Sequence, residues 1–182
     1  MTAAAAAASL VLTALCVACL AYLHLAPTGY SPVRNAVSEY GVGAYARWYR
    51  AQAICAGVAA ALLAAALHRH GLVAALLFVF TLARLAITRY PTDPLHTEAR
   101  TRTGAIHLVL AALAFAAVCW AASALPRSEE GQPLLGAIAT AGAVGTWLGL
   151  RTPFVRPVLG LLERVFYAAF LAWFVLVAAR LL

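Results

Sequence analysis

The chain has 182 residues, of which 65% are apolar and only 10% charged, with a formal net charge of +7 and a mean hydropathy of +0.90. Soluble domains carry about 45–50% apolar and 25% charged residues, so this composition excludes a single water-facing globule and points to the membrane class. The basic residues are all arginine in an alanine-rich chain, a pattern of GC-rich coding. Arginines anchoring helix ends at lipid headgroups explain the net charge, and no nucleic-acid partner is expected.

A helix crossing a hydrocarbon core of about 30 Å needs about 20 mostly apolar residues. Six segments meet this, at 3–25, 47–67, 71–89, 104–124, 134–150 and 157–182. The first has no basic n-region and is too long for a signal peptide's apolar stretch, so it reads as a retained span. The fifth is the shortest and relies on tilt or local thinning. Lipid does not tolerate irregular backbone, so all six are expected to be helices. "HRHG" reads as a tight hairpin and "PRSEEGQP" as a polar turn. Helix contact in lipid favours small residues. Ala141, Gly145 and Gly149 supply such a stripe on helix five, and Ala53, Gly57, Ala61 and Ala65 supply one on helix two. The expectation is an all-α, polytopic six-helix transmembrane bundle forming one domain over 1–182. An even number of spans puts both termini on one side of a cell membrane.

Sorting charges by side polarises the molecule. The side with loops one-two, three-four and five-six holds ten arginines, the acids Glu39, Asp93, Glu98 and Glu163, and His24, His96 and His107. The opposite side holds three arginines with Glu129 and Glu130. The positive-inside rule puts the rich side in the cytoplasm if its arginines are topological signals, and says nothing if they belong to a site.

Three ionisable groups fall at membrane depth: Arg84 within helix three, His107 early in helix four and Glu163 in helix six. A charge there costs roughly 2.5–3.5 kcal/mol on insertion scales, so it turns inward and finds a partner. For Glu163 the sequence allows an ion pair with Arg84, Arg89 or Arg156, or a proton- or cation-handling carboxylate. Asp93 lies in "PTDP", a turn stiffened by two prolines, where it either caps backbone amides or joins a site. His107 shares a helix face with Gly104, which would let a backbone or ligand approach. The imidazole is either a satisfied hydrogen-bonder or an acid–base group. Tyr30, Tyr40, Tyr45, Trp48 and Tyr49 read as an aromatic belt at the headgroups. Cys16, Cys19, Cys55 and Cys119 sit in apolar runs and read as packing residues. No spacing of histidines, cysteines or acids has a metal signature, and no nucleotide fingerprint is present, so no metal or cofactor is expected.

The segments "PTGYSPVRNAVSEYGVGAYARW", "RYPTDP", "TGAIH" and "GLLERVFYAAFLAW" resemble the bacterial and archaeal membrane family known as domain of unknown function 998. The resemblance covers nearly the whole chain and implies six helices, with a more distant similarity to DRAM-type membrane proteins. Its pattern positions here are Ser38, Glu39, Tyr40, Gly41, Pro91, Asp93, Gly104, His107, Glu163 and Arg164. Basic termini in relatives imply that the termini are cytoplasmic. This chain's first residues carry no such charge, and the polar loop side is taken as extracytoplasmic.

Three functions fit these residues. In the first, the protein binds or helps move a membrane lipid or small organic anion. Arg84, Arg89, Ser38, Glu39, Tyr40 and Arg164 hold the ligand beside a polar core of Asp93, His107 and Glu163. In the second, it is an enzyme acting on a lipid or isoprenoid, with His107 as acid–base and Asp93 or Glu163 orienting it. The third is a purely structural role. The geometry of Asp93, His107 and Glu163 discriminates among them; oligomeric state is left open.

Overall fold

The structure is a computed structural model that describes residues 2–94, 100–125 and 132–182. It is a six-helix bundle: α1 (Thr2–Leu25), α2 (Ala46–Ala66), α3 (Gly71–Ile87), α4 (Arg102–Ala124), α5 (Gln132–Arg151) and α6 (Leu159–Arg180), with short 3₁₀ turns at Val37–Gly41 and Arg156–Val158. Five of the six are long and apolar enough to cross a membrane, and α3 is a shorter apolar helix. The protein is a multi-pass membrane protein.

The helix ends depart from the expected boundaries for local reasons. The shortest helix is α3, at 17 residues, and α5 reaches 20. Past Ile87 the chain tightens: the Thr88, Arg89 and Tyr90 amides bond the carbonyls of Leu85, Ala86 and Ile87. Pro91 then disfavours helical backbone at Tyr90. Helix α4 starts at Arg102 because the Thr101 hydroxyl accepts the Gly104 N–H at 3.0 Å, an N-cap. The expected "PRSEEGQP" turn, with Glu129 and Glu130, and His96 and Glu98 of the three-four loop lie outside the described residues.

Consecutive helices pack side by side, and α6 closes the ring against α1 while also touching α2 and α4 inside it. Its inward face carries Phe166, Phe170, Trp173 and Phe174, all buried. Phe80 of α3 meets Phe170 and Phe174 edge-on, and Phe115 of α4 stacks on Phe166 at 3.8 Å. Around the perimeter, Val11, Leu15, Leu72, Phe78, Leu82, Leu113, Trp120 and Leu134 stand exposed. A soluble protein would hide such a girdle; a spanning one needs it against lipid.

Helix pairs approach through small residues. Gly57 of α2 meets the Arg84 Cβ and the Thr81 carbonyl of α3, where a Cβ would sit 3.2 and 3.4 Å away. The Thr81 hydroxyl donates to the Gly57 carbonyl at 2.9 Å, and Ser9 of α1 donates to Ala59 of α2 at 3.0 Å. On α5 the contact face is Gly142, Gly145 and Gly149, all against α6. Ala141, expected on this stripe, is exposed, because the 3.6-residue turn brings position 142 onto the face of 145 and 149. On α2, Ala53 and Gly57 face inward as expected, while Ala65 is exposed and Ala60 is buried.

At Gly142 an added Cβ would lie 2.6 Å from the Phe166 nitrogen and 2.9 Å from its Cα, both backbone atoms. At Gly145 it would meet only the tip of Leu162, at 3.0 Å. Gly142→Ala is therefore expected to destabilise the bundle by about 1–3 kcal/mol, the usual cost of overpacking. Gly145→Ala should cost less, because Leu162 can rotate. Thermal unfolding in detergent checks the order.

Candidate functional site

The polar residues gather at the end of the bundle that carries the α1–α2, α3–α4 and α5–α6 loops, in three groups. The first is a clamp around Arg164 of α6. Its Nε donates to His24 Nε2 at 2.5 Å, its Nη1 to the carbonyls of Asn35 and Gly160 at 2.8 and 2.9 Å, and its Nη2 to the Tyr40 hydroxyl at 3.1 Å. His24 Nδ1 meets the Leu20 carbonyl, so Nδ1 carries the hydrogen and Nε2 is free to accept. Four guanidinium donor bonds thus lock the ends of α1 and α6 to the α1–α2 loop.

That loop forms the second group. Glu39, buried, turns back within its own 3₁₀ turn and accepts the Asn35 side-chain amide and the Ala36 N–H, both at 2.9 Å. The next amide, Val37 N–H, donates to Glu163 of α6 at 2.7 Å. The carbonyls of Asn35, Pro32 and Val33 crowd the space above Gly160 so closely that only a glycine fits there. Tyr40 and Tyr49, expected at the headgroups, are buried in this packing at 1% and 2% exposure. Gly41 allows it by leaving room for the Tyr49 ring.

The third group lies deeper. Arg84, 2% exposed, donates from Nη2 to Gln52 Oε1 at 3.0 Å and lies over the Tyr167 ring at 5.5 Å. The Tyr49 and Tyr167 hydroxyls flank it, and Glu163 is within electrostatic reach. Its Nε makes no hydrogen bond within the protein. His107, 1% exposed, meets the Tyr90 carbonyl through Nδ1 at 2.7 Å. A carbonyl only accepts, so Nδ1 carries the hydrogen and the neutral ring offers an Nε2 lone pair. That Nε2 also makes no hydrogen bond within the protein. Arg84 and Asp93 both lie within electrostatic reach of His107.

Asp93 is engaged elsewhere. Its two carboxylate oxygens accept the Thr101 N–H at 2.9 Å and the Thr101 hydroxyl at 2.7 Å, and the carboxylate occupies the space that any side chain at Gly104 would need. The group that approaches Gly104 is this carboxylate. The orienting group for His107 is the Tyr90 carbonyl rather than Asp93 or Glu163.

A cavity of about 620 Å³ joins the second and third groups with Asp93. Asp93, His107 and Glu163 all line it, with Arg84, Ser38, Glu39, Arg100 and Arg151. Arg164, Tyr40 and Arg89 do not: the first two hold each other, and Arg89 lies past the end of α3, exposed. Gln52, Tyr167, Arg100 and Arg151 belong to the site although the sequence did not single them out, and Tyr49, read from the sequence as a headgroup anchor, joins them. Gln52 carried a signal, an uncharged amide amid an apolar run. Away from the polar end the cavity becomes apolar, running between α4 and α5 past Val109, Ala112, Phe115, Ala116 and Val144.

A family model described as "Protein of unknown function (DUF998)" matches residues 6–180, and the chain belongs to that family. No curated protein and no solved structure matches it.

The Thr101 hydroxyl, and after it the Thr101 amide, hold the Asp93 carboxyl below the usual carboxylate range. A depressed value in the folded state means the contribution is complete above the ordinary Asp value, near 4, and fades as the pH falls through the lowered one. Amide exchange in the first turn of α4 is expected to speed up over that acid range. In Asp93→Asn the acid-dependent part should vanish, and in Thr101→Val it should move to higher pH.

Proposed function

We propose that this family member binds the anionic head of a membrane amphiphile, as a lipid- or organic-anion-binding or transport-like accessory protein. The observation that carries the reading is Arg84: a guanidinium buried at membrane depth, lining a cavity, with its Nε uncommitted. A buried charge is expensive without a partner, and intramembrane charges mark ligand pathways. The carboxylates of the cavity are already engaged: Asp93 by Thr101, Glu163 by Val37, and Glu39 by Asn35 and Ala36. Among the described residues that line the cavity, the buried donor left without a protein partner is on an arginine, so the complementary ligand brings an anionic acceptor. The volume is within the roughly 300–1,000 Å³ of small-ligand sites.

The reading extends to placement. Six crossings put both termini on one side of the cell membrane. If the arginines belong to a site, they no longer report topology, and the uncharged first residues of the chain then favour an extracytoplasmic polar face.

One observation favours a second reading, an enzyme acting on the same amphiphile. His107 has its tautomer set by Tyr90 and its Nε2 uncommitted, the arrangement of an acid–base group. Accumulation of a chemically altered lipid by wild type but not by His107→Gln would select it over simple binding.

Arg84→Gln removes a charged donor worth about 1.5–3 kcal/mol, so affinity for dodecyl phosphate is expected to fall at least roughly tenfold. Arg89→Gln, exposed and outside the cavity, should bind as wild type. The measurement is thermal stabilisation by dodecyl phosphate, together with mass spectrometry of copurified lipids. Equal stabilisation and equal lipid profiles for wild type and Arg84→Gln would overturn the reading.

A further inference from the structure

Three features of α4 and α5 bear on how a ligand reaches this site. Of the consecutive helix pairs in the bundle, α4 and α5 pack least closely, whereas α5 and α6 are drawn together by Gly142, Gly145 and Gly149. Several residues that line the cavity there also face outward: Val109 is 59% exposed, Val144 52% and Trp147 53%. The cavity therefore opens sideways along the flank of the bundle, between two helices that span the membrane. Finally, the wall is mainly apolar. The Thr140 and Thr146 hydroxyls donate to the carbonyls of Gly136 and Gly142 on their own helix, which leaves the cleft apolar down to Cys119.

The polar end narrows the head chemistry. Arg84 Nε–H needs an acceptor, and neutral His107 Nε2 needs a donor. A phosphate monoester in its hydrogen phosphate form offers both, an anionic oxygen and a P–OH. Arg151 at the cavity edge, lying over the Trp147 ring at 5.2 Å, and Arg100 add positive charge around such a head.

Resting on the anion-binding reading above, we infer that the ligand is a single-chain lipid phosphate that enters from the bilayer between α4 and α5. Its phosphate lies at Arg84 and His107, and its chain lies along the cleft past Phe115, Ala116 and Val144. Continuity of the cleft with the charged end commits it to a ligand chain rather than to a partner helix. A helix would fill the cleft without meeting Arg84. A cavity of about 620 Å³ suits one chain rather than the two of a phospholipid.

Chain length alone is a poor test, because the bilayer itself concentrates longer chains. A staple across the cleft is a better one. Cys119 of α4 lies beside Thr140 of α5 across the apolar end, so Thr140→Cys places a second thiol against it. The experiment compares wild type and Thr140→Cys in phosphatidylcholine nanodiscs, oxidised and reduced, with the cross-link verified by peptide mapping. The probes are dodecyl phosphate and butyl phosphate. The stapled protein should bind dodecyl phosphate about tenfold or more weakly than its reduced form, recover with dithiothreitol, and bind butyl phosphate unchanged. Wild type should not respond to oxidation. Ala143→Phe, which fills the same cleft without a cross-link, should show the same selective loss. If dodecyl phosphate binding survives in both variants, or both probes weaken equally, the sideways route is overturned while Arg84-dependent binding stands. If neither probe binds wild type, the anion-binding reading falls and takes this one with it.

Discussion

A guanidinium held inside a membrane bundle is the constraint around which the polar half of this structure is arranged. Arg84 sits in the last turn of the shortest helix, turned inward and buried. A charge at that depth costs roughly 2.5–3.5 kcal/mol on insertion scales, and the bundle answers with polarity from two other helices, α2 and α6. Gln52 of α2 accepts from it, Tyr167 of α6 offers its ring face, and Tyr49 and Glu163 lie close by. Gly57 makes this possible by letting α3 approach α2 at the level of the Arg84 Cβ. The close helix contact and the buried charge are thus one feature: without the small residue, the arginine and the amide that receives it would stand further apart.

Arg164 shows how differently a second arginine, on the neighbouring helix, is used. Four of its donor bonds go to protein acceptors on α1, on the loop and on α6 itself. It fixes the loop, the loop presents the Val37 amide, and that amide fixes Glu163. Deeper in the bundle, Arg84 keeps donor capacity in hand and faces the cavity. The distinction rests on the remaining hydrogen-bond capacity of each group, not on charge or depth, and it separates a residue that holds the fold from one that can hold a ligand.

The same distinction explains how much was legible in the sequence. Helix number and order follow from apolar length, because a spanning helix must be long and a loop in lipid is forbidden. The inward placement of Arg84, His107 and Glu163 follows from the cost of exposing them. Whether Asp93, His107 and Glu163 meet was left open by the sequence, and the fold sets all three along one cavity. The partners were illegible. Glu163 takes an amide 126 residues away, and a backbone N–H has no sequence signature. His107 is oriented by the Tyr90 carbonyl for the same reason, not by the carboxylates that composition makes conspicuous. Tyr40 and Tyr49 looked like headgroup anchors, since burial of a ring near a helix end depends on which loop folds over it. Arg84 and Arg89 are five residues apart with opposite surroundings, because α3 ends between them.

The seams of the bundle differ in a way that bears on the cavity. Between α5 and α6 the glycine face brings backbone against side chain and backbone, so separating them would expose tightly fitted atoms on both sides. Between α1 and α2, and between α2 and α3, hydroxyls of Ser9 and Thr81 cross to carbonyls of the neighbouring helix. Between α4 and α5 the threonines that could have done the same turn back onto their own helix instead. That seam is joined chiefly by apolar surface, for which lipid tails compete on equal terms. Replacing part of the helix contact with an alkyl chain there exchanges one apolar contact for another, at little cost. At the α1–α2, α2–α3 or α5–α6 seam it would break a hydrogen bond or a glycine-backed fit. The path of least resistance for a chain leads between α4 and α5, and it ends at Arg84.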